Sequence, residues 1–237
     1  MEFEFIYNWQ ASLAVLVGVV ASIAIGRAVL LRIPAFADAY AHNKAENRNK
    51  YKTKRRYPER IKSSHQVALA TNLFFVIAVL PFITTFAAHP VWKVLLDIVA
   101  ILMVYDFFYY LTHRFLFHGK GYFRQVHAVH HQARNPTSLD ALLLHPWEAF
   151  IGIALFIAVS AGLSLLTGPF HVVTMIITIV IYSQINSFNH VHMELDRFPY
   201  KTLNWIAHKH SIHHIDMHKG NYATITLLFD KLFGTLD

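Results

Sequence analysis

The chain has 237 residues, of which 55% are hydrophobic and only 15% are charged, whereas roughly 25% of residues are charged in ordinary soluble domains. This composition indicates a protein that lies within a bilayer. The chain has no cysteine, which excludes disulfides, thiolate nucleophiles and cysteine-ligated zinc, iron–sulfur or haem centres. Any metal site must therefore use histidine and carboxylate side chains.

Apolar stretches in chain order predict an all-α, multi-pass integral membrane bundle of about four to five spans. Residues 1–8 carry two acids and no basic residue, so the first stretch is typical of a retained span and not of a cleaved signal peptide. Turns at His89–Pro90 and Gly168–Pro169 separate neighbouring stretches. About 20 residues at ~1.5 Å each suffice for a ~30 Å hydrocarbon core. The expected spans are residues 9–31, 66–88, 91–112, 147–167 and 170–189.

Basic residues concentrate between the first two predicted spans, in a segment of about residues 44–62. Nine Lys and Arg lie there against Glu46 and Glu59. A nucleic-acid-binding patch would have such a charge, but apolar spans on both sides favour a cytoplasmic loop at the membrane surface, so we expect no nucleic-acid partner. With this loop inside, 20 of the 21 basic residues lie on the inner face and Lys93 alone lies outside.

Histidine-rich stretches follow the third and fifth predicted spans, and the same threading places both on the basic face. The chain has 17 histidines, and the pattern His-x-x-His-His occurs twice, at residues 127–131 and 210–214. At ~100° per residue on a helix, the three rings of each copy point the same way. We predict a site for two metal ions at the cytoplasmic face, with these ligands: His113, His118, His127, His130, His131, His190, His210, His213 and His214.

Five residues qualify this prediction. His113 and His118 lie about 140° apart on an ideal helix, so they fit one site only if the helix ends or bulges there, or lies between two metals. Asp106, two turns before His113, could accept the second ring N–H of a ligating histidine. The role of His145 is open between a supporting and a structural one, and His192 is a tenth candidate ligand.

Three other interpretations compete with an oxidation site. Structural histidines would leave buried polar groups unpaired at roughly 1–3 kcal/mol each, and nine of them could exceed a typical fold stability of ~5–15 kcal/mol. A zinc-dependent membrane hydrolase should carry His-Glu-x-x-His, which the chain lacks. A metal transporter or sensor should have its ligands inside the spans.

The motifs in their order resemble the membrane fatty acid hydroxylase/sterol desaturase superfamily. The resemblance covers about residues 91–237, so we predict a catalytic domain there and membrane spans with the basic loop in residues 1–90. Asn186 stands where fatty acid 2-hydroxylases have another histidine, which argues against that branch. The residues that carry the resemblance are Asp106, Tyr110, His113, Arg114, His118, His127, His130, His131, His145, Pro146, Glu148, Asn189, His190, His210, His213, His214, residues 221–223 and residues 230–235.

The resemblance implies two iron ions that use O₂ and external electrons to hydroxylate or desaturate an unactivated C–H position of a lipid. Imidazole suits iron, whereas zinc lacks redox chemistry although it can replace iron in purified samples. Asp106, Asn189 and Glu148 are the implied catalytic residues beside the ligands. Carboxylates are expected near the metal charge, from the following set: Asp106, Asp140, Glu148 or Asp216.

The resemblance also implies partners and a location. Residues 1–90 leave no room for a fused cytochrome b5 domain, so we expect a separate electron-transfer protein: cytochrome b5, a ferredoxin or a reductase. The other partners are the bilayer and the lipid substrate, which span composition cannot identify. The expected location is the endoplasmic reticulum membrane in a eukaryote or the inner membrane in a bacterium.

Overall fold

The structure is a computed structural model that describes residues 5–193, 195 and 200–237. It consists of helices joined by short turns, with one pair of two-residue strands among the described residues. The helices are α1 Trp9–Leu30, α2 Pro34–Thr53, α3 Tyr57–Phe74, α4 Leu80–Ile83, α5 Val91–Leu111, α6 Tyr122–His127, α7 Pro146–Thr167, α8 Val172–Phe188, α9 Lys201–Ile215 and α10 Leu228–Leu232, and the strands are β1 Thr84–Thr85 and β2 Phe170–His171.

In the part of the chain that the structure describes, four helical segments are long and apolar enough to cross a membrane. Pro34–Thr53 is not among them, and the apolar α8 is shorter, with 17 residues. Two of the four segments continue through π-helical turns, Phe75–Val79 after α3 and Thr112–Phe117 after α5. The predicted all-α membrane bundle is confirmed, and the chain is an integral membrane protein. The four segments are Trp9–Leu30, Tyr57–Ile83, Val91–Phe117 and Pro146–Thr167.

The turns between spans gather at one end of the bundle. β1 and β2 pair in parallel there, with Thr84 opposite Phe170 and Thr85 opposite His171. The backbone N–H of Asn8, just before α1, donates to the carbonyl oxygen of Pro81 at 2.9 Å. Because α5 and α8 both run away from this end, the two histidine stretches that follow them lie together at the other end.

α5 is the central helix, with α7 and α8 packed against it. Ile101 and Tyr105 of α5 are fully buried, and Tyr105 contacts Phe156 of α7 and Tyr182 of α8 with ring centroids 5.8 and 5.1 Å apart. The same hydrophobic core includes Ala11 of α1, Phe75 of the π-helical turn after α3, and residues of α4. Residues from both sides of the proposed boundary at residues 90/91 thus share one core, and that boundary stays a prediction.

The basic segment connects two spans as expected, but it is largely helical and not a loop. α2 is polar and lies across the histidine end of the bundle. Asn43 donates to the carbonyl oxygen of His192 at 2.9 Å and accepts from the backbone N–H of Ser138 at 3.2 Å. Lys50 pairs with the buried Asp140 at 2.5 Å. The polar side chains of this segment suggested a loop at the membrane surface. In the structure, several of them instead bind the segment to the rest of the protein.

Candidate metal centre

A π-helical turn at the end of α5 brings two histidines to the same side of the chain. The backbone N–H of His118 donates to the carbonyl oxygen of His113 at 2.9 Å, one residue further than in an α-helix. The two ring centroids are therefore 5.0 Å apart instead of on divergent faces. A bulge of this kind was one of the arrangements that the sequence allowed for the pair.

The first histidine group has five members whose possible ligand atoms all lie within 4.8 Å of one another. Four of the rings form a closed circuit of Nε2 atoms. The distances are 3.0 Å from His113 to His127, 3.0 Å from His127 to His131, 3.1 Å from His131 to His213 and 3.2 Å from His213 to His113. His118 completes this group, with its ring centroid 4.9 Å from that of His127.

The second histidine group has four members within the same limit, namely His130, His190, His210 and His214. Their Nε2 atoms are 3.0 Å apart between His130 and His190, 3.1 Å between His190 and His210, and 3.1 Å between His210 and His214. All nine histidines singled out from the sequence therefore fall into the two groups, five in one and four in the other.

Each His-x-x-His-His copy contributes to both groups. His127 and His131 belong to the first group, whereas His130 belongs to the second. The three rings separate because the chain passes from α6 into a short 3₁₀ turn, His130–Gln132. In α9, His213 alone faces the first group. From the sequence we predicted that each copy forms one face of three rings. In the structure, each copy divides its three rings between the two groups. The two groups are adjacent, with ring centroids of His131 and His214 4.9 Å apart.

Backbone carbonyls fix the orientation of five of the nine rings. A carbonyl oxygen only accepts, so each Nδ1 that it contacts must carry the hydrogen. The opposite nitrogen, Nε2, is then unprotonated, with its lone pair directed into the group. The contacts are His113 to Tyr222 at 2.7 Å, His118 to Met217 at 2.9 Å, His130 to Leu143 at 3.2 Å, His190 to Asn186 at 3.0 Å and His213 to Gly220 at 2.7 Å.

This arrangement fits a cation at the centre of each group. His130 and His190 present unprotonated nitrogens to each other at 3.0 Å, where no hydrogen bond can form and the lone pairs repel. At metal–nitrogen bonds of about 2.1 Å, ligands about 90° apart place their nitrogens about 3.0 Å apart. The observed spacings are those of neighbouring ligands around a metal ion.

Burial keeps the histidines in the neutral form that binds metal. It lowers the pKa of His118 to about 3 and the pKa values of His190 and His213 to about 4, from an ordinary value near 6.5. These rings are therefore unprotonated at neutral pH without any change in pKa by a metal. These rings can therefore bind a cation without first losing a proton.

Glu148 provides the carboxylate that a ligating histidine was expected to contact. Its Oε1 atom accepts from Nδ1 of His127 at 2.8 Å, and both side chains are buried. Its Oε2 atom is buried as well and has no hydrogen-bond partner among the described residues. A carboxylate in this position orients the ring and raises its basicity as a ligand.

The comparisons with known proteins agree with this geometry. The model of the family described as fatty acid hydroxylase matches residues 98–235, which is more than half of the chain. The chain belongs to the fatty acid hydroxylase family. The resemblance proposed from the sequence is therefore confirmed, and the match includes every histidine of the two groups.

Three curated relatives show how much of the hydroxylase family's longer members the chain covers. It is 31% identical to methylsterol monooxygenase 2-2 of Arabidopsis thaliana over 62% of the chain and 54% of the relative, and 32% identical to methylsterol monooxygenase 1 of Rattus norvegicus over 56% and 44%. It is 31% identical to a very-long-chain aldehyde decarbonylase of Oryza sativa over 62% and 54%. The matched part spans about half the length of these relatives. No solved structure matches the chain.

Asp106 does not contact a histidine of the two groups among the described residues, so that expectation was wrong. Oδ1 of Asp106 accepts from the backbone N–H groups of Thr224 and Ile225 at 2.9 and 2.8 Å. Oδ2 accepts from the backbone N–H and the hydroxyl of Thr226 at 3.0 and 2.8 Å. Asp106 lies seven residues before His113, on the same side of the helix but about 10 Å away along its axis. The prediction from the angle between the two residues did not include this distance.

Asn189 acts on the same C-terminal segment. Its side-chain amide donates to the carbonyl oxygen of Thr224 at 2.8 Å, and Asp230 accepts from the backbone N–H groups of Tyr222 and Ala223 at 2.8 Å each. Residues 217–226, which we call the tail segment, are thus held by three buried polar side chains. The tail segment supplies the carbonyls that orient His113, His118 and His213.

Sequence reasoning gave this tail segment no role. The only signal was the family-like run Asn221–Ala223, in which Asn221 has a positive φ of 63° that suits asparagine better than most residues. Every residue has a backbone carbonyl, so residue types in the sequence do not indicate which carbonyl accepts from a histidine ring. Their function as ring acceptors could not be found without the fold.

The remaining candidates lie outside the two groups. His145 caps α7 by accepting from the backbone N–H of Trp147 at 3.2 Å, and His192 is exposed beside His42 with ring centroids 5.0 Å apart. Asp140 pairs with Lys50, and Asp216 accepts from the backbone N–H of His218 at 2.9 Å. Of the four carboxylates expected near the metals, only Glu148 contacts a ring of the groups among the described residues.

Proposed function

We propose that the chain is an integral membrane di-iron oxygenase that hydroxylates or desaturates an unactivated C–H position of a lipid, using O₂ and electrons from a separate electron-transfer protein. One observation carries the proposal: two adjacent groups of buried imidazoles whose unprotonated nitrogens converge. Bound iron would supply the one-electron redox chemistry needed to activate O₂, which histidine side chains lack.

The ligand assignment is part of this proposal. One ion would be held by His113, His118, His127, His131 and His213, and the other by His130, His190, His210 and His214. The backbone carbonyls hold the proton on Nδ1 and direct Nε2 inward. Glu148 does the same for His127 and adds a negative charge to a site whose ligands are neutral.

The surroundings of the groups favour chemistry shielded from bulk water. His113, His127, His213 and His214 are at most 2% exposed. α2 closes the polar side, because Asn43 and Lys50 bind it to the segments around residues 138 and 192. A dry site strengthens the interactions of bound charges and limits side reactions with solvent.

The substrate class is supported by the setting of the site at one end of the apolar spans. The relatives' names describe action on methylsterols and very-long-chain aldehydes, which are both apolar. We place the active site on the cytoplasmic side, because the basic α2 lies at the histidine end and basic segments remain inside. That end is then also where a soluble electron donor would dock.

The proposal is tested with the full chain purified in a neutral detergent and loaded with Fe²⁺ under argon. Iron content, O₂ consumption with a chemical reductant, and oxidised products are measured across a panel of sterols, fatty acyl lipids and long-chain aldehydes. We expect two irons per chain and O₂ consumption that depends on one lipid class. Full iron occupancy without O₂ consumption on any lipid would refute it, and hydrolytic products with zinc would favour a zinc hydrolase.

A further inference from the structure

A half-open cavity of about 790 Å³ lies at the histidine end, between α2, α9 and the segment after His131. Its volume lies within the ~300–1,000 Å³ that small-molecule sites occupy. The lining includes Gln132, Asn189 and Ala207, which are one to three residues from His131, His190 and His210 of the metal centre. A group bound in this cavity would therefore lie beside the metal centre.

α9 carries both sites on one rigid element. His208, Ser211 and Ile215 line the cavity and follow one another at intervals of three and four residues. At ~100° per residue, this face lies about a third of a turn from the one that carries His210 and His214. A molecule bound in the cavity would thus have a fixed position relative to the histidines of α9.

Among the described residues that line the cavity, permanent positive charge exceeds negative charge. Lys54 and Arg134 are exposed cations in its lining, Glu46 is the lining carboxylate, and Lys50 is already paired with Asp140 at 2.5 Å. Among the described residues, no hydrogen bond or ion pair joins the guanidinium of Arg134 to another side chain. A free guanidinium presents a fork of donors that matches carboxylate and phosphate geometry.

We propose that this cavity binds the anionic headgroup of the lipid substrate, a phosphate or a carboxylate, with Arg134 and Lys54 as the cations that hold it. The inference rests on the proposed oxygenase function and narrows its substrates to lipids with an anionic head. Val191, Met193 and Ile215 add apolar lining, which suits the part of a lipid next to its head. The headgroup would hold the lipid at a fixed distance from the metal centre.

The test measures binding by isothermal titration calorimetry, with the metal-loaded full chain in a neutral detergent. The probe is dihexanoyl phosphatidic acid, and the matched neutral lipid is dihexanoylglycerol. We expect one phosphatidic acid per chain and at least tenfold weaker binding in Arg134→Ala and Lys54→Ala. Lys52→Ala, an exposed lysine of α2 outside the cavity lining, should bind as the wild type does.

Several outcomes would overturn the assignment. Equal binding of dihexanoylglycerol, or unchanged binding in Arg134→Ala with wild-type metal content, would refute recognition of an anionic headgroup. Inorganic phosphate that binds as tightly as phosphatidic acid would show a site for free anions instead. Because the readout is binding and not turnover, a chain that consumes O₂ but does not bind the probe overturns only this inference, and the proposed function stands.

Discussion

The ring of His113 donates its Nδ1 hydrogen to the carbonyl oxygen of Tyr222, which lies 109 residues further along the chain, at 2.7 Å. The contact links a histidine of the first group, at the end of a membrane span, to the tail segment. Asp106, Asn189 and Asp230 hold that segment in turn. The orientation of these histidine rings therefore depends on residues that lie outside both histidine groups.

The first prediction concerns the number of ions. His130→Ala removes one of four ligands from the second group and none from the first. Metal analysis of the purified variant should show close to one ion per chain instead of two, since five ligands remain in the other group. His65→Ala, an exposed histidine outside both groups, is the control and should keep two ions. Two ions in His130→Ala would remove that residue from the ligand set.

The second prediction concerns Glu148. Gln in its place can still accept from Nδ1 of His127 but without the negative charge, whereas Ala removes the acceptor. Loss of such outer contacts typically weakens metal binding about 10–100-fold. We expect Glu148→Gln near the lower limit and Glu148→Ala near the upper one, in competition with a chelator. Wild-type affinity in both variants would contradict the role given to this carboxylate.

The third prediction uses Gly220, whose carbonyl oxygen orients His213 at 2.7 Å. A Cβ atom added at Gly220 would lie 1.8 Å from the backbone oxygen of Thr235, so Gly220→Ala must displace the tail segment. Metal affinity should fall at least tenfold, by the same loss of ring orientation. Gly152→Ala in α7, where the added atom meets nothing within 4 Å, should leave affinity unchanged. Equal affinities in the two variants would show that the tail carbonyl is dispensable.

The fourth prediction separates stability from ligation at Asp106. Ala in its place leaves three backbone N–H groups and one hydroxyl without their acceptor. Hydrogen bonds to a charged group contribute about 1.5–3 kcal/mol each, so a loss of about 3 kcal/mol is a low expectation. In a chain of this size that lowers Tm by about 6–12 °C. Thr226→Val, which removes one of the four contacts and also the hydrogen bond that the backbone N–H of Leu228 donates to the Thr226 hydroxyl, should lower Tm by at least a quarter as much. An unchanged Tm in Asp106→Ala would contradict this role.

The sequence predicted the membrane bundle and identified as candidate ligands all nine histidines that form the two groups. Both predictions were possible because hydropathy and His-x-x-His-His spacing depend on side-chain identity. A bulged helix between His113 and His118 was one of the arrangements that the sequence allowed, and the π-helical turn lies there. Other features depend on depth and on backbone atoms, which spacing does not encode. The partner of Asp106, the carbonyls of the tail segment and the closure of the site by α2 therefore emerged only from the fold.

The assignment of two iron ions to the two histidine groups is tested by X-ray absorption at the iron edge, combined with iron content, on the full chain loaded with Fe²⁺. We expect two irons per chain, with four or five imidazole nitrogens on each and no protein carboxylate as a ligand. A single iron per chain, or carboxylate oxygens in place of imidazole nitrogens, would contradict the proposal that the two histidine groups are the metal sites.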